Sequence, residues 1–196
     1  MICFRTIKWD ISPQTFFLGA LMLLILPLRW ILGICAAAFF HEVSHILAVQ
    51  LCGGDIQGII LTPMGARIDL LPLSPAQEFF CAAAGPSTSI LIALLGWRLP
   101  VFALGGLIQG LYNLLPLYPN DGGRMLHALC HIFCPGVGRY IIPITEMLTV
   151  ALILVLGGLA VVVLDLPVFA VCFWVLVILR PLAAKIPCKE RPLAVQ

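Results

Sequence analysis

The five residues His41-Glu42-Val43-Ser44-His45 have the types and spacing of a metal-dependent hydrolytic centre. On a helix, an i, i+4 spacing stacks the two imidazoles on one face, where both can ligate a single zinc ion. Glu42 then stands at the edge of that face. From there its carboxylate can take a proton from zinc-bound water, whose pKa the metal lowers to about 7, and pass it to a leaving amine. Residue frequencies alone give this pattern in roughly one chain of this length in a few hundred. Such a centre also needs a third protein ligand and one position open to water.

Leu51 rules out the extended form of the motif, which has a third histidine there, so the third ligand must come from elsewhere. The remaining carboxylates are Asp55, Asp69, Glu78, Asp121, Glu146 and Asp165. Asp121 is favoured because Gly122-Gly123 follows it, and glycines let backbone approach a site closely. An ordinary helix-cap aspartate would look the same. Asn113 and Gln109, one helical turn apart, could present polar groups to a substrate carbonyl, and hydrogen bonding between helices explains them nearly as well.

The elements that must position these groups are membrane helices. Of the 196 residues, 62% are hydrophobic and 10% charged, and the mean hydropathy is +1.11, so the bilayer is the solvent. With about 20 apolar residues per span, the chain suffices for about six helices and reads as one compact membrane domain over residues 1–196. Spans are expected near Thr15–Leu28, Trp30–Leu51, Ala76–Trp97, Pro100–Leu117, Ile141–Leu164 and Pro167–Ala184. The first apolar stretch follows Arg5 and Lys8 but has no small-residue cleavage site, which predicts a retained helix. This layout puts most of the Lys and Arg residues on the side of the termini and only Arg29 and Arg98 on the other, which makes both termini cytoplasmic. The net charge of +2 is small and scattered, which sets nucleic acid aside. His41, Glu42 and His45 fall inside an apolar span, where ionisable groups mark function by default; a trio of polar residues bonding helices together is the competing explanation.

Between the second and third spans the pattern changes. Ile56–Thr62 is β-branched, Ala66-Arg67-Ile68-Asp69-Leu70 alternates apolar with charged, and Pro63-Met64-Gly65 is turn chemistry, which together predict a small hairpin at the membrane face. Its free edge is expected to take the substrate as an added strand, with Ile59, Leu61 and Ile68 as docking positions. Glu146 reads as interfacial and solvated. Most of the eight cysteines lie far apart in apolar surroundings and read as reduced thiols. His127, Cys130, His131 and Cys134 share a helical face with a metal-ligand spacing, which an interfacial helix also produces by accident.

Three segments resemble the site-2 protease family of intramembrane zinc metalloproteases: the pentapeptide at 41–45, Ala84-Gly85-Pro86, and the run from Asn113 through Pro119-Asn120-Asp121-Gly122-Gly123 to Arg124. The resemblance covers about residues 36–124, the catalytic core. It implies that His41, His45 and Asp121 are zinc ligands, that Glu42 is the catalytic base, and that Asn113 is the leading asparagine of its motif. One Zn2+ per chain and a membrane-embedded or membrane-tethered protein substrate follow from it, with membrane regulatory partners and the bilayer around them. Leu61-Thr62-Pro63-Met64-Gly65 also resembles the loop of the stage IV sporulation protein FB subgroup, which implies the bacterial cytoplasmic membrane and a sigma-factor precursor as substrate. Asn120 and Ser89 depart from the family's usual residues, and neither position is a ligand. A metal-binding channel or transporter is the rival from another class; it predicts metal flux and tolerance of Glu42→Gln. A catalytically silent zinc scaffold is disfavoured because the base and all three ligands are present.

Overall fold

A computed structural model of the chain describes residues 8–62 and 65–165, with residues 167, 172 and 175. In chain order the elements are β1 (Lys8–Ile11), α1 (Pro13–Ile25), α2 (Leu28–Leu51), β2 (Ile56–Thr62), β3 (Gly65–Leu70), α3 (Pro75–Leu95), α4 (Pro100–Asn113), α5 (Asp121–Phe133) and α6 (Gly138–Leu164). Proline punctuates the starts. It occupies the first turn of α1, α3 and α4, where its missing N–H costs no helical bond. Ser74 caps α3 through a reciprocal box with Gln77, which fixes where the long central helix begins.

Helix α3 packs against α2, α4 and α5, so the helices expected to supply the functional residues all meet around it. The apolar cluster of Ala48, Val49 and Cys81, joined by Leu70 and Leu73, seals the junction of α2, α3 and the hairpin. By contrast α6 leaves Leu148, Leu152, Val155, Leu159 and Val162 exposed, a face suited to lipid rather than to a protein core.

The expectation of six crossing helices is met only in part. Helices over Leu28–Leu51 and Gly138–Val163 are long and apolar enough to span a bilayer. Helix α1, at 13 residues, and α4, at 14 residues, extend only about 20 Å at 1.5 Å per residue, against a hydrocarbon core of about 30 Å. The expected sixth span, Pro167–Ala184, falls almost wholly outside the described residues. The segment after Asp121 forms a helix of its own, α5, between the expected fourth and fifth spans.

The hairpin forms, and it gains a third strand: β1 pairs parallel with β2, and β2 pairs antiparallel with β3, in the order β1-β2-β3. This corrects the docking expectation for Ile59 and Leu61. Both lie on β2, which is paired on both sides, with Ile59 facing Trp9 and Ile68 and Leu61 facing Ile11 and Ala66. Ile68, on β3, is the docking position left on a strand paired on one side among the described residues. Residues 63 and 64 of the expected turn lie outside the description; Gly65, with φ +128, takes a backbone conformation that other residues rarely adopt.

Glu146 is likewise corrected. It is buried, and its Oε1 accepts the Tyr118 N–H at 3.2 Å, because α6 sets it against the loop before α5.

Candidate metal centre

Two turns of α2 and the first residue of α5 converge on one point. His41 Nε2, His45 Nε2 and Asp121 Oδ2 form a triangle with every side 3.2 Å. Zinc bonds of about 2.0–2.1 Å at tetrahedral angles put ligand atoms about 3.3 Å apart, so the triangle matches three vertices and leaves the fourth. All three residues are buried, with exposures of 1%, 6% and 7%. Asp121 sets a carboxylate oxygen beside the two ring nitrogens, a mixed nitrogen and oxygen donor set of the kind zinc takes.

Helix α3 orients both rings from behind. The Cys81 carbonyl lies 2.8 Å from His45 Nδ1. A carbonyl only accepts, so Nδ1 carries the proton and the Nε2 lone pair is directed into the triangle. On the other ring, the fully buried Ser89 hydroxyl lies 2.8 Å from His41 Nδ1. Between them sits Gly85, where a Cβ would collide with His45 Nε2 and stand 2.7 Å from His41 Nε2. The glycine of Ala84-Gly85-Pro86 is thus the point where helix backbone backs onto the two imidazoles. Gly122 does the same for α5, since a Cβ there would strike the Leu114 carbonyl.

Asn113 ends α4 with its side-chain amide 3.1 Å from His41 Nε2, beside the triangle. Glu42 is tied to the hairpin. Its carboxylate accepts the Ala66 backbone N–H, and a Cβ on Gly65 would come within 2.6 Å of its Oε1. His41, Glu42, His45, Asn113 and Asp121 all border one cavity of about 850 Å³, whose opposite wall is β3 and the segment after it.

Of the other carboxylates, Asp69 and Glu78 border that cavity without joining the triangle, and Asp165 caps α6. The cluster of His127, Cys130, His131 and Cys134 does not converge: Cys130 is buried, His131 and Cys134 are exposed, and the His127 ring packs on Tyr118. Among the described residues, His41, His45 and Asp121 are the group able to hold a metal ion.

No family model matches the chain. It is 30% identical to Rip3 of Mycobacterium tuberculosis over 124 residues, covering 50% of this chain and 32% of that protein. It is 26% identical to stage IV sporulation protein FB of Bacillus subtilis over 139 residues, covering 63% of this chain and 48% of that protein. Zinc metalloprotease MJ0392 of Methanocaldococcus jannaschii is 31% identical over 105 residues, covering 45% of this chain and 30% of that protein. The chain therefore covers less than half the length of these curated relatives, between 30% and 48% of each. Among solved structures, the site-2 protease from M. jannaschii superposes with a TM-score of 0.66 at 18% identity, covering 98% of both chains, so the two share a fold. The resemblance to the site-2 protease family read from the motifs is matched by these relatives and by that fold.

Proposed function

We propose that the chain is the catalytic core of an intramembrane zinc metalloprotease of the site-2 type, acting on membrane-embedded or membrane-tethered proteins. The observation that carries this reading is the 3.2 Å triangle of His41, His45 and Asp121 with Glu42 on the same cavity. His41, His45 and Asp121 would hold the metal, which would supply a Lewis acid for the scissile carbonyl and for the attacking water. Glu42 takes the proton from the attacking water and delivers it to the departing amine. Its hydrogen bond from Ala66 keeps the carboxylate turned toward the cavity. The Asn113 amide donates to the carbonyl oxygen as negative charge develops there.

Helical peptide carbonyls are already paired and shielded, so the substrate must be held extended. The outer edge of β3 is suited to this. Ala66 directs its N–H away from β2, toward Glu42, and by the strand's period of two Ile68 offers its backbone to the same edge. Ile68→Pro removes one donor from that edge. The expected result is cleavage slowed by about tenfold, the equivalent of one lost hydrogen bond at the upper end of its usual range, with zinc content unchanged. Cleavage at the normal rate would make the segment a passive wall.

For the membrane layout we propose six crossings, in which α1, α3 and α4 and the segment 167–184 join the two long helices, with both termini cytoplasmic. A membrane-impermeant thiol reagent applied to the cytoplasmic face of inverted membrane vesicles should label Cys3 and Cys188 without detergent. Labelling of either only from the outer face would overturn the layout. The likeness of the sequence from Leu61 to Gly65 to the stage IV sporulation protein FB subgroup supports a sigma-factor precursor as the substrate.

The experiment that tests the function is reconstitution of the purified chain with a membrane-tethered candidate substrate in sealed vesicles. The proposal predicts a discrete zinc-dependent cut. Metal flux across the vesicle wall without any cut would support an ion pathway instead.

A further inference from the structure

Asp121 uses only one of its oxygens in the triangle. Its Oδ2 faces both imidazoles, while Oδ1 lies 3.5 Å from Arg124 Nη1, one turn along α5. The same guanidinium donates through Nε to Glu78 Oε1 on α3, at 2.7 Å. One planar group therefore links a carboxylate from each of two helices, both on the wall of the cavity. We propose that Arg124, anchored by Glu78, is a positioning residue that fixes which oxygen of Asp121 faces the histidines. The inference rests on the metal-centre reading.

An unrestrained carboxylate presents two equivalent oxygens and can rotate to offer both, which would fill the position that water needs. Arginine's donors are held in a rigid fork, so engaging Nε on Glu78 sets where Nη1 lies. A lysine carries the same charge on a single nitrogen and cannot hold both carboxylates in this geometry. Glu78 also offsets the charge of the guanidinium, so Arg124 orients Asp121 without setting a net positive charge beside a cation.

The test uses the full chain in detergent, with zinc affinity read by chelator competition and coordination read from the visible absorption of the cobalt-loaded protein. Outer partners of metal ligands typically contribute about 10–100-fold in affinity. Arg124→Ala and Arg124→Lys should each weaken zinc by about tenfold or more and alter the cobalt bands. Glu78→Gln, which leaves Arg124 in place and guards against misfolding of the arginine variants, should alter the bands in the same direction. Zinc affinity within threefold of wild type in Arg124→Lys would show that charge rather than the fork acts here and would overturn the inference. Tighter zinc binding in Arg124→Ala, or cobalt bands identical to wild type in all three variants, would overturn it as well. A wild-type chain that takes up no zinc defeats the metal-centre reading itself, which separates the two failures.

Discussion

Glu42→Gln should abolish peptide cleavage while zinc stays bound. The substitution preserves size and the capacity to accept the Ala66 N–H, and it leaves His41, His45 and Asp121 in place. What it removes is the proton acceptor. General-base catalysis is worth on the order of 10²–10⁴-fold, and the same carboxylate must also return the proton to the amine, so turnover should fall below detection in an ordinary assay. Metal content measured on the same preparation separates loss of the base from loss of the site. Substantial turnover by the variant in detergent would remove Glu42 from the mechanism.

Asp121→Ala attacks the metal directly. It deletes the anionic member of the triangle and leaves two imidazoles, which bind zinc far less well than three protein ligands. Losing an outer-shell partner already costs about 10–100-fold, so losing a ligand should weaken affinity by more than about 100-fold, and zinc should be stripped by mild chelation. Full zinc retention with normal activity would move the third ligand to Glu78 or Asp69, which border the same cavity.

Much of the centre was legible in the chain because its elements are local. His41 and His45 declare themselves by a four-residue step, and the hairpin by alternation at Ala66, Ile68 and Leu70. Gly85 was legible as part of a motif, and the structure supplies its reason in the imidazoles it must accommodate. What escaped was the support behind the ligands. The Cys81 carbonyl has no sequence signature, since every residue carries one. Ser89 was noted only as a departure from the family, although Cys81, Gly85 and Ser89 recur every fourth residue as a stripe of small side chains on α3, and that stripe faces the two histidines. Strand β1 was missed because four residues ahead of an apolar helix give too short a pattern, and its partner β2 lies far along the chain. Helix lengths were less legible than the apolar segments themselves: composition marks which segments avoid water but does not measure length, and α1 and α4 are short helices.

One metal ion at His41, His45 and Asp121 is expected to drive peptide hydrolysis. Zinc titration of the chelator-stripped protein, with cleavage of a membrane-tethered substrate followed at each addition, tests it most directly. Cleavage should be absent at the start, rise in proportion to zinc and reach its plateau at one equivalent per chain. Cleavage that persists in the stripped protein, or full zinc uptake with no cleavage of any tethered substrate while the metal crosses the membrane, would contradict the account.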